Sequence, residues 1–243
     1  VVDIGGTTTD IGVLVQGFPR QSSAAVDIGG IRTNFRMPDI LSIGLGGGTI
    51  VRLDDAGGVT VGPDSVGYEL TKRARIFGGD TLTTTDVAVK LGRAVWPGTN
   101  ADAVDEAVCR KVDAVMQQSL EDAIDRMKTS ADPVDVILVG GGSLLVPETL
   151  AGASRIIRPD NYDAANAIGA ALGEVSCESE RIYSLDDWKY DDVMQDAKES
   201  AVNEATAAGA NPETVQIVSV EDIPIAYLPG NALLVKVKAA GKL

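Results

Sequence analysis

The stretch that decides the fold is Val1-Val2-Asp3-Ile4-Gly5-Gly6-Thr7-Thr8-Thr9-Asp10-Ile11-Gly12-Val13-Leu14-Val15, at the start of the chain. Two apolar runs flank a glycine- and threonine-rich centre, which predicts a strand, a tight turn and a returning strand. Gly5 and Gly6 carry no Cβ, so the backbone of this turn can adopt a positive φ and come close to a ligand.

Phosphate is the ligand that this turn favours. Backbone amides of such a turn point into a concavity that binds phosphate oxygens, and the hydroxyls of Thr7, Thr8 and Thr9 add donors. Asp3 and Asp10 would repel phosphate directly, so we expect them to act through Mg²⁺, with Asp3 as the metal ligand, or to position a water. The alternative is a plain Gly-Gly hairpin without a ligand.

Composition limits the class of protein. The chain has 243 residues, 44% hydrophobic and 23% charged, which predicts a globular protein with a sizeable core. A formal net charge of -14 argues against nucleic-acid or acidic-membrane partners. No apolar run is long enough for a bilayer span, so we expect a cytoplasmic setting.

Histidine and cysteine narrow the chemistry further. The chain has no histidine, which excludes Ser-His, Cys-His and His-ligated zinc mechanisms supplied by this chain alone. Cys109 and Cys177 lie far apart without metal-ligand spacing, so we expect two free thiols, of which Cys109 is buried on a helix.

Two further glycine-rich stretches follow predicted strands. Gly46-Gly47-Gly48-Thr49 comes after the run 40–43, and Gly140-Gly141-Gly142-Ser143 comes after the apolar run 134–139. We interpret the first stretch as a second anion or substrate contact, because so many glycines suit a close approach of the backbone. Ligands of open α/β sheets bind beyond the carboxyl ends of strands, so we interpret the second stretch as a nucleotide contact. The alternative for the first is an ordinary strand connection.

The remaining pattern predicts helices around a mixed sheet. Asp86 lies where Thr and Asp residues can cap a helix, whereas capping does not account for Gly78-Gly79-Asp80 just before it, which resembles a close-approach loop. We predict a long helix over 101–127 capped by Asn100, and a small-residue helix over 162–173 packed on the sheet. The fold class is α/β, with domains at 1–176 and 177–243, the second a small α+β appendage.

Five motifs in this order carry a family resemblance: DIGGTTTD at 3–10, SIGLGGGTIV at 42–51, VGPDSVG at 61–67, GGDTLTTTD at 78–86 and LVGGGSLLVP at 138–147. The set resembles the ATP-dependent hydantoinase/oxoprolinase family, in its hydantoinase A-like subunit. That family shares the actin, Hsp70 and sugar-kinase type of ATPase fold, in which two ribonuclease-H-like domains close over ATP.

The resemblance implies roles for particular residues. Asp3, Gly5, Gly6, Thr7 and Thr8 would form the second phosphate loop, and residues 140–143 the adenosine loop. Family members carry a related hairpin near their N-terminus, so we interpret this sequence as a fragment whose partner is the missing N-terminal half of the same protein. The sequence departs from the family at 68–75, where a Pro-Gly-Pro-containing segment is common.

The resemblance also implies an activity. We expect an ATP- and Mg²⁺-dependent hydrolase of a cyclic amide such as a hydantoin or 5-oxoproline, with Asp10 or Asp86 orienting water and a second hydantoinase subunit as a further partner. The fragment alone should turn over poorly. The alternatives are a nucleotide-binding interaction module without catalysis and a small-molecule kinase.

Overall fold

The computed structural model describes residues 1–15, 17–22, 26–28, 30–33 and 37–243. It divides the chain into two compact units, Val1–Ala165 and Asn166–Leu243. The domain boundary at 176/177 that the sequence suggests stays a prediction, and each unit is described by itself below.

The first unit contains eleven of the described strands and three helices, with a fourth helix crossing its end. The strands are β1 (Val2–Ile4), β2 (Thr9–Gly12), β3 (Leu14–Val15), β4 (Phe18–Pro19), β5 (Val26–Ile28), β6 (Ile31–Thr33), β7 (Ile40–Ile43), β8 (Thr49–Leu53), β9 (Val59–Ser65), β10 (Val134–Val139) and β11 (Ala153–Ile157). The helices are α1 (Leu70–Arg73), α2 (Thr84–Lys90), α3 (Glu106–Met127) and α4 (Ala165–Ala171).

A five-stranded mixed sheet organises this unit, in the order β11-β10-β1-β2-β7. β1 and β2 pair antiparallel through Asp3 and Asp10, as the opening stretch predicts. β10 runs parallel to β1 and to β11, whereas β7 is antiparallel to β2. β1, β7, β10 and β11 therefore point the same way, and their carboxyl ends lie along one edge of the sheet.

The long helix α3 packs on one face of this sheet. Its stripe of apolar side chains recurs every three or four residues and shares a core with the alternate, inward-facing residues of the strands. Fully buried members include Val112 and Leu120 on α3, Ile4 on β1 and Leu138 on β10. This packing holds β1 and β10 side by side.

One local prediction needs correction. Asn100 caps a short 3-10 turn, Ala101–Ala103, and α3 begins only at Glu106, where the Asp105 carboxylate accepts a hydrogen bond from the Val108 amide. Val104 is extended between the two turns, so the helix is interrupted there. None of the residues of α4 is buried, and the packing of this helix on the sheet stays a prediction.

The second unit is an α+β arrangement. Its antiparallel sheet has the order β12-β14-β13, formed by Glu174–Ser184, Ala232–Lys242 and Gln216–Pro224 respectively. The helix α5 (Tyr190–Ala207) covers one face, and alternate residues of β14, among them Val235 and Val237, are fully buried beneath it. The unit thus has a hydrophobic core of its own.

Among the described residues, none of the helices combines the length and the apolar content that a membrane span requires.

The two cysteines give a test of the fold. Both are free; Cys109 is fully buried in the α3 core, and burial raises its pKa to about 11. Cys177 on β12 is partly exposed. The pKa of its thiol is raised, mainly because the group is partly desolvated and in addition because the Glu204 carboxylate lies nearby. Because the thiolate is the reactive form, we expect slow modification of Cys177 by Ellman's reagent, faster at pH 9 than at pH 7, and none of Cys109 before unfolding. A thiol that still reacts in folded Cys177→Ser protein would contradict this core.

Candidate functional site

The turn between β1 and β2 presents backbone amides to solvent. The Gly5 amide donates to the Thr8 carbonyl at 2.9 Å, which closes the turn. Gly6, Thr7 and Thr8 are exposed, and their amides donate to no acceptor within the described part of the chain. Three successive N–H groups without an acceptor in this part of the chain form a surface of the kind that binds anions.

The glycine triplet after β10 lies against this turn. Gly140 has φ +86, and a Cβ there would overlap the Asp3 carboxylate and the Ile4 carbonyl, so the position requires glycine. A Cβ on Gly142 would lie 2.7 Å from the Gly5 carbonyl oxygen. Ser143 is buried, and its hydroxyl donates to the Gly140 carbonyl at 2.6 Å. The two predicted loops therefore meet at the carboxyl edge of the sheet.

The glycines after β7 lie beneath the turn. Residues 46–48 are buried, and a Cβ on Gly46 would lie 2.5 Å from the Thr7 amide nitrogen. The Gly47 amide donates to the Gly5 carbonyl at 3.0 Å, and the Gly48 amide donates to the Gly6 carbonyl at 2.7 Å. In this structure the stretch thus contacts the turn itself and has no exposed surface for a ligand.

Two of the predicted threonines are buried as well. Thr9 and Thr49 are fully buried. The Thr9 hydroxyl donates to the Leu45 carbonyl at 2.6 Å, and the Thr49 hydroxyl accepts from the Gly46 amide at 2.7 Å. Of the three adjacent threonines, Thr7 and Thr8 are the exposed ones.

Asp3 and Asp10 lie directly opposite each other on adjacent strands. Residues in such a pair share one face of the sheet, with Cβ atoms about 4.5–5.5 Å apart. Asp10 is exposed and accepts a hydrogen bond from the hydroxyl of Ser42, its neighbour on β7. The described residues contain no group of three or more acidic, cysteine or histidine side chains that could hold a metal alone. Two carboxylates do fit Mg²⁺ when phosphate and water oxygens complete its coordination.

Asp86 has a different environment from the other two candidates. It is fully buried, and its carboxylate accepts from the Thr83 amide at 2.6 Å and from the Ile76 amide at 2.8 Å. The Thr83 hydroxyl in turn accepts from the Asp86 amide, which completes a capping box at the start of α2. A carboxylate without exposed surface does not reach solvent, so we leave Asp86 out of the proposed catalytic set.

The sequence reasoning missed several residues around the turn. They are Ser42, which binds Asp10; Ser65, whose hydroxyl reaches the Gly6 carbonyl; and Thr84 and Thr85, which bind the glycines beneath the turn. The sequence did contain a signal for the two threonines, because GGDTLTTTD repeats the glycine and hydroxyl content of the opening turn. The two serines had none, since each depends on strand register.

Arg93 ties the second loop to the helices. Its guanidinium binds both carboxylate oxygens of Asp113 on α3 at 2.6 Å and also donates to the Leu145 carbonyl at 2.8 Å. This paired contact is largely shielded from water, and a bidentate geometry is the strong form of such a bond. The turn that follows Gly140 is therefore anchored to α3.

A separate pocket of ≈ 240 Å³ lies at the opposite edge of the sheet. It is lined mainly by apolar residues where β1 and β10 begin and α3 ends, including Val1, Met127 and Val134. The glycine turns follow the other ends of these strands, so this pocket is not part of the candidate site.

Comparison with known protein families identifies the segment that carries most of these residues. Residues 1–99 match the hydantoinase/oxoprolinase family. This range contains the β1–β2 turn, the buried glycines beneath it and the start of α2. This match covers less than half of the chain. The resemblance inferred from the motifs is confirmed over this range.

Curated relatives of the segment are subunits of larger enzymes. The chain is 34% identical over 91 residues to the acetophenone carboxylase gamma subunit of Aromatoleum aromaticum, covering 37% of this chain and 12% of the relative. It is 37% identical over 91 residues to the caprolactamase subunit alpha of Pseudomonas jessenii, covering 37% and 13%. It is 31% identical over 131 residues to the acetone carboxylase beta subunit of Xanthobacter autotrophicus, covering 50% and 18%. The matched regions span less than a fifth of each relative.

Solved structures share the fold over nearly the whole chain. One is the nucleotide-free structure of acetone carboxylase, an enzyme of ATP-dependent acetone carboxylation. It aligns with a TM-score of 0.65 at 16% identity, covering 98% of this chain and 45% of that chain. The ATP-dependent caprolactamase of Pseudomonas jessenii aligns with a TM-score of 0.63 at 17% identity, covering 99% and 46%. At these identities the likeness establishes the mixed α/β fold.

The close packing beneath the turn predicts unequal effects of two glycine substitutions. Gly46→Ala would press a methyl group against the backbone of Gly6 and Thr7, so we expect a loss of about 2 kcal/mol or more in the free energy of unfolding. Gly141→Ala is the matched control, because its Cβ would meet no atom within 4 Å. Urea unfolding measures both, and equal stabilities of the two variants would contradict the packing.

Proposed function

We propose that this chain is the nucleotide-binding part of a larger enzyme of the hydantoinase/oxoprolinase type, which uses ATP and Mg²⁺ to open a cyclic amide. The observation that carries the proposal is the exposed amide surface of Gly6, Thr7 and Thr8 at the carboxyl edge of the sheet, with Asp3 and Asp10 beside it. The family match over residues 1–99 and the fold likeness to ATP-dependent enzymes support it. The proposed setting is an actin-like, ribonuclease-H-like ATPase domain in the cytoplasm.

Phosphate binding is the first role that we assign. The amides of Gly6, Thr7 and Thr8 would hold phosphate oxygens, and the Thr7 and Thr8 hydroxyls would add donors. Gly140 and Gly141 would let the nucleotide approach the backbone beyond β10. In this proposal Gly5, Thr9, Gly142, Ser143 and residues 46–49 shape the site from within the protein, because they are covered or bonded internally.

The two neighbouring carboxylates take the second role. Asp3 would help to hold Mg²⁺, which would offset the negative charge of the phosphates. Asp10 would orient the attacking water, since its carboxylate is exposed and fixed by Ser42. Opposed carboxylates repel each other, and a shared cation removes that repulsion.

The proposed chemistry begins with transfer of the γ-phosphoryl group of ATP to the amide oxygen. The oxygen of the amide carbonyl forms the new bond to phosphorus, and ADP leaves with the electrons of the broken P–O bond. This transfer ends the resonance that protects the amide, so that water can add to the carbon and the C–N bond can break, with the nitrogen taking up a proton. A second water would then release phosphate from the remaining acyl phosphate and leave the carboxylate. Fixed amides and the metal would stabilise the charge that is transferred.

The relatives favour a second candidate function, the ATP-dependent carboxylation of a ketone. Two of the three curated relatives are carboxylase subunits, for acetophenone and for acetone, and the third is a caprolactamase subunit. Both candidate reactions use ATP on a substrate with a carbonyl group. A partner subunit is part of the proposal, since each of these relatives is named as a subunit.

The test measures ATP consumption by the complete enzyme that contains this chain, with a panel of hydantoin, 5-oxoproline, caprolactam, acetone and acetophenone, the ketones with bicarbonate. Ring opening in step with ADP release supports the proposed function, and carboxylated product supports the second candidate. A stable phosphorylated product would instead assign a kinase. Nucleotide-dependent subunit association without turnover would assign a non-catalytic module.

The turn itself predicts a separable effect on ATP binding. An alanine at Gly6 would meet no protein atom within 4 Å, so Gly6→Ala should change the free energy of unfolding by no more than about 0.5 kcal/mol. Its methyl group would nevertheless obstruct close approach of a phosphate, and we expect ATP affinity to fall at least about fivefold, or by about 1 kcal/mol. Gly169→Ala, equally free of clashes, is the control. Equilibrium dialysis with labelled ATP measures both, and unchanged affinity in Gly6→Ala would argue against phosphate at this turn.

A further inference from the structure

The glycine turns and the start of α2 form three stacked layers of backbone. The outer layer is the turn Gly5–Thr8, the middle layer is the stretch 46–48, and the inner layer is the first turn of α2. Amides of the middle layer donate outward, from Gly47 to the Gly5 carbonyl at 3.0 Å and from Gly48 to the Gly6 carbonyl at 2.7 Å. The carbonyls of Gly5 and Gly6 in the outer turn thus accept hydrogen bonds from the layer beneath them.

Thr84 and Thr85 bind the middle layer from below. The Thr84 hydroxyl donates to the carbonyls of Gly46 and Gly47, the second at 2.9 Å. The Thr85 hydroxyl donates to the Gly47 carbonyl at 2.6 Å, and the Thr85 amide donates to the same oxygen at 3.1 Å. Thr84 is fully buried and Thr85 is 3% exposed, so these bonds form away from water.

The direction of these bonds matters for an anion site. An anion needs N–H groups that face outward, and the carbonyls of the same turn must then be satisfied from within. Gly47 and Gly48 supply N–H groups to the turn, whereas the Gly46 amide donates to the Thr49 hydroxyl. The carbonyls of Gly46 and Gly47 face inward. The threonine hydroxyls donate to those buried carbonyls alongside two backbone amides, that of Thr49 at Gly46 and that of Thr85 at Gly47, each at 3.1 Å.

We propose that Thr84 and Thr85 are positioning residues for the nucleotide, which hold residues 46–48 against the turn so that the amides of Gly6, Thr7 and Thr8 face the phosphates. This inference rests on the proposed function. It assigns to the threonine run before Asp86 a role beyond capping, since capping uses the hydroxyl of Thr83 alone.

The test separates positioning from general support by using ligands with and without phosphate. Thr84→Val and Thr85→Val, singly and together, keep the shape of each side chain but remove its donor. We expect the double variant to bind ATP at least tenfold more weakly than the unaltered chain, while its affinity for adenosine changes less than twofold. Thr84→Ser with Thr85→Ser keeps both hydroxyls and should restore ATP affinity to within threefold of the original. Equilibrium dialysis with labelled ATP and labelled adenosine gives the values.

Controls make each outcome decisive. Thr60→Val, at an exposed position on β9, should leave both affinities unchanged. If the double valine variant does not fold by circular dichroism, Thr84→Val alone replaces it, because the Thr85 amide still binds Gly47, and a threefold loss for ATP alone is expected. Equal losses for ATP and adenosine, no loss for ATP, or failure of the serine variants to restore binding would overturn the positioning role. All variants are made in the complete enzyme that contains this chain, and failure of that unaltered enzyme to bind ATP at all would instead overturn the proposed function.

Discussion

The structure of the candidate site depends on a direct contact between two stretches of backbone. Gly46 lies so close to Gly6 and Thr7 that a single additional carbon would lie 2.5 Å from the Thr7 nitrogen. This proximity lets the amides of Gly47 and Gly48 reach the carbonyls of the turn. Side chains at these positions would separate the two layers, and the turn would lose the bonds that fix its orientation.

The contact has an electrostatic consequence, because it engages carbonyl oxygens and leaves amides outward. The chain carries a formal net charge of -14, so its overall field repels a polyphosphate. Salt screens the repulsion between a bound anion and charges more than about 10 Å away. Fixed peptide dipoles act on the anion at short range, where this screening is weak. A turn built from amides, with a cation held by Asp3 and Asp10, is therefore a way for an acidic protein to bind an anion under the proposed function.

The sequence predicts local elements better than it predicts which other parts of the chain they contact. The β1–β2 hairpin follows from two apolar runs around Gly5 and Gly6, which is information contained within one stretch. Glycines 46–48 correctly indicate close approach, but a missing Cβ does not identify the atoms that approach, and here they belong to the protein. Asp86 shows the same limit. An Asp after a run of threonines is compatible with a buried helix cap and with an exposed acid, and only the structure shows its carboxylate bound to the Ile76 amide.

The names of the curated relatives refer to different substrates. This variety is easier to understand if ATP binding depends on backbone groups. A phosphate surface made of amides at Gly6, Thr7 and Thr8, supported by buried hydroxyls, makes no contact that depends on whether the other substrate is a lactam or a ketone. Residues 1–99 match one family although the curated relatives include a caprolactamase subunit and two carboxylase subunits. Under the proposed function, this segment performs the step that such enzymes share, the binding of ATP. The choice of substrate would then rest with side chains outside the stacked layers, where a change does not disturb the packing of Gly46 on the turn.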